Sequence, residues 1–135
     1  METSAELQKS VLKLENLYFT ECSFTRREDL SKKEIEYNYN FKREITESED
    51  KQHFKVALCL NMDERENKAV EINIRIVGCF TVEAIDEKAK DVLIKKNSLT
   101  VLFPYLRSQL CLLTSQPGIQ QIMLPIVNVA EMFTD

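Results

Sequence analysis

Glycine and proline are scarce: the 135 residues hold two glycines, Gly78 and Gly118, and three prolines, Pro104, Pro117 and Pro125. No G-x-G-x-x-G, P-loop or G-x-S-x-G motif can be written with them. Each of those motifs needs glycine where the backbone turns sharply or meets a ligand closely, so nucleotide-binding and hydrolase readings lose their support. Histidine is scarcer still. His53, the only one, stands beside Lys55 in the charged row of a strand pattern, as a solvated side chain does and a catalytic base seldom does. The four cysteines, Cys22, Cys59, Cys79 and Cys111, form no C-x-x-C pair and no cluster with histidine. They are expected to be reduced fillers, with neither disulfide nor zinc.

No apolar run approaches the ~20 residues that cross a bilayer, and the start Met1-Glu2-Thr3-Ser4-Ala5-Glu6-Leu7-Gln8 has neither a basic region nor an apolar one. A cytoplasmic location without membrane insertion is the expectation. The net charge of −4 argues against a nucleic-acid surface, which needs clustered basic groups to displace counterions. The acidic groups Glu47-Ser48-Glu49-Asp50 and Asp63-Glu64-Arg65-Glu66 lack the glycine and terminal glutamate of a calcium loop and read as solvated turns. No cofactor is expected, and the partner is expected to be protein.

With 44% hydrophobic and 30% charged residues, the chain has an ordinary globular composition and a length that suits one domain over residues 1–135. Whether the first ~10 residues are ordered leaves no local pattern in the sequence. Ile35, Tyr37, Tyr39, Phe41 and Ile45 alternate with polar residues, as do Phe54, Val56, Leu58, Leu60 and Met62; both are strands with one buried face. After Asp63–Asn67 the alternation resumes at Val70, Ile72, Ile74, Ile76, Phe80 and Val82, so the last two strands form a hairpin. Upstream, residues 11–25 are rich in strand-forming types, but their alternation is broken at Leu12, Leu14, Leu17, Tyr18 and Phe19. A bulged first strand accounts for that.

Beyond Glu83 the period changes. Leu99, Leu102, Phe103, Leu106, Leu110 and Leu113 recur at spacings of three and four, one face of a helix. Pro117-Gly118 ends it, and Pro104 predicts a start or a kink near Leu102-Phe103. Asp86–Lys96 suits a shorter preceding helix, and Asn128–Phe133 a short final helix with an Asn cap. The fold class is therefore α+β: a four-stranded antiparallel sheet followed by a long helix and a short C-terminal helix.

These apolar rows exceed what one sheet and one helix need to cover each other. Val70, Ile72, Ile74 and Ile76 are core or a subunit interface; Ile35, Tyr37 and Tyr39 are core or the wet edge of a groove, where a tyrosine hydroxyl is at home. The pattern leaves both pairs open.

The segment Leu102-Phe103-Pro104-Tyr105-Leu106-Arg107 resembles the L-F-P-Y-x-R signature of the SecB export chaperones, and Ile122-Met123-Leu124-Pro125-Ile126-Val127-Asn128 with Met132-Phe133 is similar to that family's C-terminal motif. The resemblance runs from about Leu14 to Phe133 and agrees with the order of strands, then helices. Pro125 comes one residue early and Val129 stands where the family has Phe, so the end helix is expected to sit differently.

The resemblance implies an ATP-independent holdase: a homotetramer, built as a dimer of dimers, that keeps unfolded polypeptides in apolar grooves. It places client contacts at Ile35, Tyr37, Tyr39, Val129, Met132 and Phe133. It places the oligomer interface at Ile72, Ile74, Ile76, Leu102, Leu106, Leu110 and Leu113. Of the acids that meet the SecA motor, Glu21 matches one position, while Thr25 and Asn73 stand at two others. The sequence stops at Asp135, where the family continues into a basic, zinc-contacting tail. Standard coupling to SecA is therefore not expected, and service to an antitoxin or another single client is the alternative to export. Competing classes are an interaction scaffold for a folded partner and a small-molecule binder with a closed cavity; an enzyme lacks any constellation beyond isolated acids.

Overall fold

A computed structural model describes residues 10–27, 35–125 and 128–133. Four strands form one antiparallel sheet: β1 (Val11–Arg26), β2 (Tyr37–Glu47), β3 (His53–Glu64) and β4 (Val70–Glu83), in the spatial order β1-β4-β3-β2. Strands β2, β3 and β4 follow one another through tight turns, and β1 closes against β4, as in a Greek key.

The broken pattern of β1 has a geometric cause. Its register against β4 slips between Leu14 and Asn16 and again between Phe19 and Glu21. Each extra residue reverses which parity faces inward. Leu12 and Leu14, then Leu17 and Phe19, then Cys22 and Phe24 therefore all fall on one face, opposite Val82, Phe80, Gly78, Ile76, Ile74 and Ile72.

The turns are built by side chains. Lys51 and Lys68 take positive φ values of 60° and 52°, a cost that local hydrogen bonds offset. At the β2–β3 turn Asp50 accepts from the Gln52 amide at 2.9 Å and meets His53 Nδ1 at 2.8 Å. Hydrogen bonds, first from Ser48 and then from Gln52 and His53, hold its carboxyl well below the usual carboxylate range. At the β3–β4 turn the carboxylate of Glu64 accepts from the amides of Glu66, Asn67 and Ala69. Glu64 is buried, so this turn is not simply a solvated one: its acid is the cap that satisfies three backbone donors.

The expected shorter helix over Asp86–Lys96 is present and runs without a break into the main one. Helix α1 (Glu87–Val92) is capped by Asp86, whose carboxylate accepts from the Ala89 amide at 2.7 Å. It continues through a π-helical turn, Leu93–Asn97, into helix α2 (Ser98–Leu113). Pro104 lies inside α2. Its missing N–H frees the carbonyl of Thr100, one turn back, and because both residues are exposed water can serve that carbonyl.

Helix α2 covers β4 and β3. Leu99, Leu102, Leu106 and Leu110 have no exposed area, and beneath them lie Leu58, Leu60, Ile72, Ile74 and Ile76, exposed by 1% or less. Gly78 permits this approach: a Cβ there would come within 2.8 Å of Leu102 Cδ2 and 2.6 Å of Phe80 Cε2. After α2, Thr114 Oγ1 accepts from the Ile122 amide at 2.8 Å, and Arg26 Nη1 donates to the Pro117 carbonyl at 2.6 Å. The expected final helix is a single 3₁₀ turn, Val129–Glu131, and Asn128 makes no side-chain cap. Ile126 and Val127 of the C-terminal motif lie outside the described residues, as do residues 1–9.

Candidate functional site

The inward row of β2 consists of Tyr37, Tyr39, Phe41, Arg43 and Ile45, opposite Glu64, Met62, Leu60, Leu58 and Val56 of β3. β2 is an edge strand, and α2 lies over β4 and β3 on the same face, so this row is only partly covered. Tyr39 is 51% exposed, while Phe41 packs against Phe103 of α2 with ring centroids 6.4 Å apart.

Between this row and the C-terminal segment lies an open groove of about 290 Å³ lined by Tyr39, Phe41, Phe103, Leu124, Pro125 and Met132. The lining carries no charge. A depression of similar size at the other end of the sheet, about 330 Å³, is edged by Glu15, Glu47, His53 and Lys55, which makes it the poorer match for an apolar ligand. The groove floor is fixed. Arg107 Nε donates to the carbonyl of Leu124, so the arginine of the L-F-P-Y-L-R segment anchors the very residues that form the groove floor.

The six expected client contacts do not form one surface. Tyr39 and Met132, the latter 39% exposed, face the groove together. Val129 is buried in the core and acts as a wedge; Ile35, Tyr37 and Phe133 are partly buried at its margin. The Tyr37 hydroxyl is shut off from solvent and finds no hydrogen-bond partner among the described residues. Burial, followed by the nearby Tyr39 and Glu64, pushes its pKa up to about 12. Sequence reasoning missed Phe103, Leu124 and Pro125 as groove residues, although all three lie in the motifs it singled out, and it missed Arg43 altogether. The Arg43 guanidinium donates to the Lys95 carbonyl of the π-helical turn at 3.1 Å and lies 4.9 Å from the centre of the Phe133 ring.

Most of the expected oligomer-interface set lies inside the protomer. Ile72, Ile74, Ile76, Leu102, Leu106 and Leu110 are sealed inside the protomer; side chains without exposed area have none to give to a second subunit. Leu113 is partly buried. The open side of α2 is different: Tyr105 is 47% and Leu112 67% exposed, and Val101, Pro104 and Ser108 complete the same stripe. Arg107 is the only charged residue of α2, so this solvent-facing stripe has no charge.

On the sheet face away from α2, Glu21 is exposed and sits opposite Arg75. Arg75 bridges Glu44 at 2.8 Å and donates to Thr20 Oγ1 at 2.9 Å; the bond to Glu44 foremost raises its pKa. Thr25 lies opposite Glu71, and Asn73 bonds Asn61 across the sheet. Lys13, Lys42 and Lys55 share this face with its acids, so the charge there is mixed.

Three comparisons bear on this geometry. The chain is 30% identical over 134 residues to an uncharacterized protein of Methanocaldococcus jannaschii, an alignment covering 94% of this chain and 85% of that one. The fold matches that of the Mycobacterium tuberculosis SecB-like chaperone, solved in complex with a peptide from the HigA1 antitoxin. The TM-score is 0.69 at 11% identity, covering 93% of this chain and 91% of the other. The model of the family described as preprotein translocase subunit SecB matches residues 5–135, and with nearly the whole length so matched, the chain belongs to the SecB family.

Proposed function

We propose that the protein is an ATP-independent holdase chaperone of the cytoplasm that keeps unfolded polypeptides in the groove between β2 and the C-terminal segment. The observation that carries this reading is the groove itself: uncharged, open along one side, and walled by Tyr39, Phe41, Phe103, Leu124, Pro125 and Met132. Burying apolar area there gains ~25 cal/mol per Å², or roughly 1.5–3 kcal/mol for one large client side chain. The interaction is non-directional, so it makes little demand on client sequence. An unfolded chain exposes such side chains and a folded one does not, so preferential binding to the unfolded state follows and folding is delayed.

Family membership and the fold shared with a chaperone seen on an antitoxin peptide support a chaperone role. Export clients are one reading. A single dedicated client such as an antitoxin is the second, favoured by the mixed charge around Arg75 and Glu44 on the face where an acidic patch would meet SecA. Assembly into a dimer of dimers would supply several grooves to one long client, so that modest local affinities combine. For that assembly we assign the uncharged stripe of Val101, Tyr105 and Leu112 in place of the sealed row, because covering its exposed apolar area is favourable and buries no charge.

Static light scattering tests both parts. The expected result is a tetramer that captures a chemically unfolded secretory precursor and ignores its folded form, and that dissociates when Tyr105 and Leu112 become aspartate. A monomer indifferent to unfolded protein would sink the reading.

A further inference from the structure

The groove has one soft wall. Its floor is tied to α2 through Arg107 and the Leu124 carbonyl, but Met132 belongs to the segment Asn128–Phe133, whose backbone hydrogen bonds are internal to its own turn: Glu131 to Asn128 and Met132 to Val129, at 3.0 and 3.1 Å. Among the described residues no backbone bond joins this segment to the sheet or to α2. Among the described residues side chains alone hold it, with Val129 buried in the core at one end and Phe133 packed beneath the Arg43 guanidinium at the other.

Arg43 is out of place in its row. It occupies an inward position between Phe41 and Ile45, opposite Leu58, where a charge is unfavourable unless satisfied. Among the described residues it meets the π-helical turn, whose Lys95 carbonyl it binds, and the face of Phe133. The π-helical turn, β2 and the C-terminal segment thus converge on one guanidinium, whose planar fork suits simultaneous hydrogen bonding and stacking. A lysine in the same place has one compact ammonium for both tasks.

We propose that Arg43 is the positioning residue of the groove: by pinning Phe133 against the π-helical turn it fixes Met132 as a client-contacting wall. This rests on the holdase reading for its consequence, though not for its geometry. A cation over an aromatic face is worth enough to change the population of the docked segment by about threefold to thirtyfold. Without that restraint a client must order the wall as it binds, and the ordering cost weakens the complex.

The test uses the full chain with four variants, Arg43→Met, Arg43→Lys, Phe133→Leu and the Arg43→Met/Phe133→Leu double. Two readouts are amide hydrogen exchange and binding of a dansyl-labelled, uncharged peptide of alternating leucine and serine. Arg43→Met and Phe133→Leu are each expected to speed exchange at Glu131 and Met132 by about threefold to thirtyfold while leaving Leu106 unchanged. Each is expected to shorten peptide residence similarly, the double variant to do little more than either, and Arg43→Lys to recover part of the loss. Unchanged exchange at Glu131 and Met132, equal acceleration at Leu106, or tighter peptide binding by Arg43→Met would overturn the assignment; the last would make the segment a cover. If the unaltered chain fails to bind the peptide, the holdase reading falls, and exchange still decides the role of Arg43.

Discussion

Strands β2 and β4 carry the same alternation of apolar and polar residues, yet they end in different environments. Ile72, Ile74 and Ile76 of β4 are sealed beneath α2, whereas Tyr39 of β2 is half exposed. The difference is one of position. β4 lies inside the sheet with α2 above it, and β2 forms the edge, which α2 touches through Phe103 and leaves only partly covered. Side-chain chemistry follows the environment: branched aliphatics fill the dry half, and tyrosine, methionine and proline line the half-wet one, where a polar tip or a flexible thioether costs little. One sheet thus provides both the stability of the fold and a surface that water leaves cheaply.

Breaking each half separately sharpens the contrast. Leu106→Ala is expected to cost about 2–5 kcal/mol of stability through the cavity it leaves, measured as a lower urea midpoint at unchanged slope. Met132→Ala is expected to leave that midpoint nearly in place and instead weaken capture of unfolded client. Smaller is the expected effect of Gly78→Ala, about 1–3 kcal/mol, since the new methyl must displace Phe80 and Leu102 from contacts already at van der Waals limits. Smaller again, and opposite in sign, is Tyr37→Phe, which removes a buried hydroxyl without a partner among the described residues. It is expected to be neutral or stabilising by up to about 1 kcal/mol.

Tyr37→Phe also has a pH signature. The folded-state pKa is raised to about 12 from 10, so the folded form holds its proton where the unfolded form has lost it. The resulting stability is fully present below pH 10 and is lost as pH rises toward 12. Urea titrations through that window should fall more steeply for the unaltered chain than for Tyr37→Phe, and equal slopes would place the tyrosine in a solvated setting.

Much of this was legible in the sequence because periodicity reports which residues share a face. The four strands, the bulged β1 and the leucine row of α2 are all visible in the spacing of apolar residues. Periodicity does not report what covers a face, which is why the isoleucine row read equally well as core or as interface and only the packing of α2 decided for core. Pro104 offered a choice between a start and a kink; the helix runs through it, with the exposed Pro104 and Thr100 leaving the freed carbonyl to water. Glu64 and Arg43 were invisible for another reason: each acts through partners brought close by the fold, Glu64 through amides across its turn and Arg43 through residues about 50 and 90 positions away.

The pairing of β1 with β4 has a consequence for the birth of the chain. Arg26 lies opposite Val70 and Leu12 opposite Val82, so the first strand to leave the ribosome has no partner until the last has been made. At ordinary translation rates the intervening residues take about 2–9 s to synthesise. Throughout that interval Leu12, Leu14, Leu17, Phe19 and Phe24 are a bare apolar stretch of nascent polypeptide. A newly made copy therefore presents, for a few seconds, the same kind of segment that, on the holdase reading, its finished sisters hold.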